Sequence, residues 1–199
     1  MDVDTPEIHG KLKNAKVAIA GLGGLGSHIA VSLARIGVGM LLLVDDDVVD
    51  LSNLNRQMYF IKHLGMPKTQ ALQEQIEQIN PLVHVKIRTV RVEDHHVVEL
   101  FEGYDVMCEA FDTQEAKAML VSAALSRLPD LKVVAASGMA GYGSSNGICT
   151  ERRMKNLYVC GDGEADAAAG MGLMAPRVQI CAGHQANMVL RLLVGLEDV

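Results

Sequence analysis

The stretch KVAIAGLGGLGSHIAVSLARIG, residues 16–37, decides the fold. Residues 16–20 read as a strand, and a glycine-rich turn follows without a spacer. Residues 25–36 then place apolar side chains at helical spacing, until Gly37 and Gly39 end the run. Gly21-Leu22-Gly23-Gly24-Leu25-Gly26 has the G-x-G-x-x-G spacing in the strand-to-helix context that gives this motif meaning. Gly21 permits the tight turn, Gly23 lets a phosphate approach the backbone, and Gly26 lets helix and strand pack closely. Free N–H groups at the helix start then face an anion. The motif predicts a nucleotide site without saying which nucleotide.

Outward from this unit, strand and helix patterns alternate. Residues 40–44 (MLLLV) form a second buried strand ending in acids, and residues 68–79 an amphipathic helix between Pro67 and Asn80-Pro81. Strands are expected at 83–88, 105–108 and 132–136, and helices at 94–101, 114–126 and 175–193. Such repeated βα units imply an α/β, Rossmann-like, mostly parallel sheet with helices on both faces. After Ser137 the style changes. Residues 138–147 are rich in Gly and Ser, 148–159 suit short antiparallel strands, and 160–173 (CGDGEADAAAGMGL) read as a mobile loop before the final helix. Loops of that length are often functional. The expectation is one domain over residues 1–199, with a nucleotide-binding core at about 14–137 and a partner-binding part at about 138–199.

Composition narrows the function. Nearly half of the 199 residues are apolar and Trp is absent, which suits a core of Val, Leu, Ile, Ala and Met. The net charge of −6 and the scattered Lys and Arg offer no basic stripe, so neither nucleic acid nor an anionic membrane is expected as a partner. The four cysteines, Cys108, Cys149, Cys160 and Cys181, contain no Cys-x-x-Cys pair, so no zinc and no disulfide framework are expected. The polar start is no signal peptide and no apolar run approaches a membrane span, which points to the cytoplasm.

Asp45 ends the second strand about 20 residues beyond the glycine loop, where a carboxylate accepts hydrogen bonds from ribose hydroxyls. Of the acids that follow, Asp46 and Asp50 suit a solvated turn, and Asp47 fits a site role or a turn equally. Next come Ser52-Asn53-Leu54-Asn55-Arg56-Gln57 and then Met66-Pro67-Lys68. A dehydrogenase holds its pyrophosphate mainly by backbone and leaves Arg56 and Lys68 unexplained. ATP has three phosphates, and displacing pyrophosphate develops further charge, which fixed cations stabilise most in the transition state. Arg56 offers a planar fork and Lys68 a compact charge, while Asn53 and Asn55 can orient phosphate or ribose oxygens. Asp112 lies beyond the fourth strand's carboxyl end, where open α/β sheets bind ligands. It suits Mg²⁺ or a cap on the following helix, and the two roles are compatible.

The strings GLGGLGS, LLLVDDDVVDLSNLNRQ and G-x-P-K resemble the ubiquitin-activating-enzyme-like superfamily, and within it the short form of the ThiF-type sulfur-carrier adenylyltransferases of thiamine biosynthesis. The resemblance continues through AFDTQEAKAML, AASGMAGYG and LMAPRVQICAGHQANMVLRLL. It implies a nucleotidyltransferase that adenylates the C-terminal Gly carboxylate of a small ubiquitin-like protein with a Gly-Gly tail, releasing pyrophosphate, as a homodimer. It implies an ATP site of Gly21, Gly23, Gly24, Gly26, Asp45, Asp47, Ser52, Asn53, Asn55, Arg56, Gln57, Lys68 and Asp112. Arg56, Lys68 and Asp112 would act in catalysis, and Asp112 would handle Mg²⁺. The chain departs from the family where Asp112-Thr113 replaces Asp-Asn and Lys117 replaces an Arg. It also lacks Cys-x-x-Cys pairs and has no Arg before Lys11. Cys149 and Cys160 fall where some relatives carry a reactive thiol, but only Arg152 and Arg153 near Cys149 could activate one. Cys108 and Cys181 read as core. The alternatives are a relative acting on a molybdopterin-synthase carrier or a modified tRNA base, an NAD-dependent oxidoreductase, and a non-catalytic partner subunit.

Overall fold

A computed structural model describes residues 6–138, 140–164 and 172–199. Among them, the strands are β1 (Lys16–Ala20), β2 (Met40–Val44), β3 (His84–Arg88), β4 (Val106–Glu109), β5 (Lys132–Ala136), β6 (Cys149–Met154) and β7 (Leu157–Gly161). The helices are α1 (Pro6–Asn14), α2 (Gly24–Arg35), α3 (Lys68–Ile79), α4 (Val97–Phe101), α5 (Gln114–Arg127) and α6 (Ala175–Val194). One sheet runs β3-β2-β1-β4-β5-β7-β6, parallel except for β6. The expected Rossmann-like architecture is therefore present. The chain order reverses beside β1, which pairs with β2 on one side and β4 on the other. In open α/β sheets this switch point opens the ligand crevice.

The period of two along each strand divides the core between two layers. Val17, Ile19, Leu41 and Leu43 pack toward α1, α2, α3 and α6. Ala18, Ala20, Leu42 and Val44 pack toward α4 and α5. Both strand faces are thus dry, which is why β1 and β2 carry continuous apolar runs rather than alternation.

Two features depart from the sequence expectation and a third extends it. The polar start contains helix α1, held by buried Leu12, whose carbonyl accepts the Gly39 N–H. Expected helix 94–101 divides into a 3₁₀ turn, Asp94–His96, and the short α4. The expected antiparallel strands form the β6–β7 hairpin, which joins the main sheet because β7 lies parallel beside β5. Residues 165–171 of the expected mobile loop lie outside the described residues. No helix among the described residues is long and apolar enough to cross a membrane.

Candidate active site

The glycine turn is braced from all sides. Gly21 sits at φ +90°, and a Cβ there would lie 2.6 Å from the Ala110 carbonyl oxygen. Gly26 is tighter, since its Cβ would lie 1.8 Å from the Gly21 carbonyl oxygen. The Gly21 N–H donates to Val44, and the Leu22 N–H donates to Asp45 Oδ2 at 2.6 Å. The buried Tyr59 hydroxyl donates to the Leu22 carbonyl at 2.8 Å. Ser27 Oγ donates to the Gly23 carbonyl and accepts the Met58 N–H. These bonds tie the turn to β2 and to the segment that carries Arg56.

The turn opens onto a cavity of about 840 Å³ at the carboxyl ends of the strands. Gly21, Gly23, Gly24, Asp45, Asp47, Asn53, Arg56, Gln57, Lys68 and Asp112 line it. Ser52, Asn55 and Gly26 do not. Asn55 Oδ1 and the Ser52 carbonyl instead accept from Arg56 Nη1, at 2.9 and 3.1 Å. They stand behind the guanidinium and aim its fork. Arg56 Nε and Gln57 Oε1 are buried without a protein hydrogen-bond partner.

Asp45 accepts the Leu22 N–H through one oxygen and the Asp47 N–H through the other. Each carboxylate oxygen has a second lone pair, so bracing the loop leaves acceptors facing the cavity. Burial pushes the Asp45 pKa up, against the opposing pull of Lys68. Lys68 is nearly buried at the start of α3, and its ammonium donates to exposed Asp47 at 2.7 Å. Asp50 accepts from the Ser52 N–H and hydroxyl, which lower its pKa and cap the Leu51–Asn53 turn. Asp46, which reads from sequence as a solvated turn residue, lines the cavity.

The far wall is formed by Val90, Val92, Phe111 and Ala116, with Arg91 on the rim. Asp112 is exposed on the turn after β4, and Thr113 Oγ1 caps α5 by accepting the Ala116 N–H. Beneath this turn, fully buried Glu109 pairs with Lys117, whose ammonium lies 3.2 Å from both carboxylate oxygens. Sequence reasoning overlooked Glu109, although an acid closing the apolar strand VMCE, eight residues before a Lys, was a visible signal. Arg177 was overlooked too. Nearly buried at the start of α6, it donates to the Gly143 and Ser144 carbonyls and pairs with Asp162, latching two loops together.

Cys108 and Cys181 are buried as expected. Cys160 is buried too, and desolvation pushes its thiol up to about 11. Cys149 is exposed on edge strand β6 and lines a smaller cavity of about 330 Å³.

The ThiF family model matches residues 4–199. The chain belongs to the ThiF family. It is 36% identical over 134 residues to the adenylyltransferase and sulfurtransferase UBA4 of Vanderwaltozyma polyspora, covering 67% of this chain and 30% of that protein. The probable adenylyltransferase/sulfurtransferase MoeZ of Mycobacterium tuberculosis is 38% identical over 116 residues, or 58% of this chain and 30% of that one. The tRNA threonylcarbamoyladenosine dehydratase of Bacillus subtilis is 37% identical over 131 residues, covering 65% and 51%. This ThiF-family chain thus matches about a third to a half of its relatives' length. Its fold superposes on that of the E. coli tRNA N6-threonylcarbamoyladenosine dehydratase TcdA, solved in complex with AMP. The TM-score is 0.85 at 22% identity, covering 94% of this chain and 89% of that one.

Proposed function

We propose that this protein binds ATP and adenylates the C-terminal Gly carboxylate of a small ubiquitin-like sulfur-carrier protein with a Gly-Gly tail, releasing pyrophosphate, in thiamine biosynthesis. One observation carries the reading: Arg56, Lys68 and Asp112 line one cavity with the glycine turn. A pyrophosphate held by backbone alone would need none of the three. The cavity's size also suits a nucleotide.

A partner carboxylate oxygen attacks the α-phosphorus, forming a P–O bond, and the bond to the β-phosphate bridge breaks as pyrophosphate leaves. The protein supplies no nucleophile. Its contribution is alignment and charge neutralisation. Turn N–H groups seat phosphate oxygens, Asp45 holds the ribose, and Asn53 and Gln57 orient the chain of oxygens. Arg56, with Nη1 already committed to Asn55 and Ser52, presents its remaining donors to the leaving phosphates. Lys68 has three donors and spends one on Asp47, so the others reach phosphate without moving the helix.

Among the described residues, no group of three metal-ligating side chains exists. Asp112, an exposed carboxylate on the cavity lining, fits Mg²⁺, which takes one or two carboxylates and completes its shell with phosphates and water. Asp112 would hold it, and the ion would supply further neutralisation of phosphate charge. On this reading the protein works as a cytoplasmic homodimer.

The similarity to a tRNA-modifying dehydratase supports a second reading, in which a modified tRNA base supplies the carboxylate. The net charge of −6 favours the protein carrier. ATP–pyrophosphate exchange tests both. Exchange that requires a carrier with an intact terminal Gly, and is abolished by Arg56→Ala and by Lys68→Ala in folded protein, is the expected result. Exchange driven by tRNA instead would select the second reading, and exchange surviving both substitutions would remove the assigned roles.

A further inference from the structure

The Glu109–Lys117 pair lies beneath the turn that bears Asp112, and its ammonium bonds to Glu109 and the Ala136 carbonyl rather than to any group assigned above. Burial pushes the Glu109 pKa up, and Lys117 opposes this. A buried ion pair is weak evidence for stability, because apolar side chains of similar volume often do as well. Its geometry suggests another use. Glu109 Oε1 accepts the Phe111 N–H at 2.7 Å, so the carboxylate fixes the backbone one residue before Asp112. Thr113, one residue after Asp112, is fixed as the cap of α5. Lys117, in the first turns of α5, reaches back to both Glu109 oxygens and to the Ala136 carbonyl at the end of β5. Asp112 therefore stands on a short arc tethered at both ends, and one ammonium ties β4, β5 and α5 together below it. Lys117 itself reaches the cavity lining, with its side chain one-fifth exposed.

We propose that Glu109 and Lys117 are positioning residues for Asp112, setting how much more tightly the protein holds Mg²⁺-loaded ATP than metal-free ATP. The inference rests on the nucleotide reading above and extends it to a pair that this reading leaves unused. Loss of the ammonium leaves Glu109 buried without its counter-charge. The carboxyl then takes up a proton, its bond to the Phe111 N–H weakens, and the arc bearing Asp112 is released. Metal-free ATP, held by the glycine turn, Arg56 and Lys68, meets that arc only as cavity wall and makes no use of the Asp112 carboxylate as a metal ligand, so it loses less.

Calorimetric titration of ATP, once with excess Mg²⁺ and once with EDTA, tests this on the full-length protein. The readout is the ratio of the two dissociation constants, and Asp112→Asn gives the ratio without the metal-bearing carboxylate. Lys117→Met is expected to reduce the ratio by about tenfold or more, as loss of a ligand's supporting partner commonly does. Its affinity for metal-free ATP should fall several-fold less than its affinity for Mg²⁺-loaded ATP. Lys117→Arg, whose fork reaches both carboxylate oxygens, should restore the ratio. Should Lys117→Met fail to fold, the double variant Glu109→Gln with Lys117→Met removes both charges together and should show the same reduced ratio. A folded variant with the ratio of the unmodified protein, or an equal loss with and without Mg²⁺, overturns the proposal while sparing the nucleotide site. If the unmodified protein binds no ATP, the nucleotide reading itself fails and the positioning role falls with it.

Discussion

Replacing Gly26 with Ala sets two opposed effects against each other. Gly26 lies inside α2, where Ala is favoured over Gly by about 1 kcal/mol of helix propensity. Against this, the added methyl would sit 1.8 Å from the Gly21 carbonyl oxygen and 2.9 Å from its carbon. Backbone cannot swing aside as a flexible side chain can. The start of α2 would have to withdraw by on the order of 1 Å, and overpacking of this kind costs about 1–3 kcal/mol or more. The net expectation is a loss of up to about 2 kcal/mol, which for a chain of this size lowers Tm by up to roughly 4–8 °C. The same withdrawal pulls the Leu22 and Gly23 amides off their braces at Asp45, Tyr59 and Ser27, so ATP affinity should fall by at least about tenfold. Gly183→Ala is the matched control. It sits exposed in α6 with nothing within 4 Å of the new methyl, and should gain up to about 1 kcal/mol. Differential scanning calorimetry and ATP titration of both variants give the answer. A Gly26→Ala protein that melts higher, as Gly183→Ala should, and binds ATP normally would refute the close-approach argument.

Arg177→Ala removes the guanidinium beside Asp162 and the donors to the Gly143 and Ser144 carbonyls, so it should cost about 1–3 kcal/mol and speed amide exchange around residues 140–147; unchanged exchange there would refute the latch. In native protein only Cys149 should react with iodoacetamide within minutes, because Cys160 and Cys181 are buried with thiols pushed up to about 11 and about 12, and Cys108 is pushed higher still; mass spectrometry showing native labelling of Cys160 would contradict this. Burial holds the His28 imidazole below its ordinary 6.5, so below that pH the unfolded chain binds a proton the folded one refuses. Stability contributed by neutral His28 is therefore present above about pH 6.5 and lost as pH falls. His28→Gln should flatten the Tm profile between about pH 5 and pH 7, and an unchanged slope would count against the assignment.

The sheet was legible because its strands carry their own evidence. Residues 16–20 and 40–44 are apolar on both faces, and Gly21 and Gly26 sit where only the strand-to-helix turn requires them. Helix α3 was bounded correctly by Pro67 and Asn80. Helix α1 was hidden because its sequence, PEIHGKLKN, is mostly polar and owes its order to Leu12 docking from a distance. At the site, residue types singled out Asp45, Arg56, Lys68 and Asp112, which the fold brings to one cavity. They could not show that Ser52 and Asn55 stand behind Arg56, since a 3₁₀ turn capped by Asp50 decides which way those side chains face. Glu109 and Lys117 needed three-dimensional packing to become a pair.

Gln185, deep in α6, donates its side-chain amide to the carbonyls of Glu109 and Val134, at 3.1 and 3.2 Å. Glu109 closes β4 and Val134 lies inside β5, 76 and 51 residues earlier in the chain. A nascent chain emerging from the ribosome would therefore carry its glycine turn and its cations well before these two carbonyls find their donor. The sheet beneath the cavity is closed only once α6 has been made.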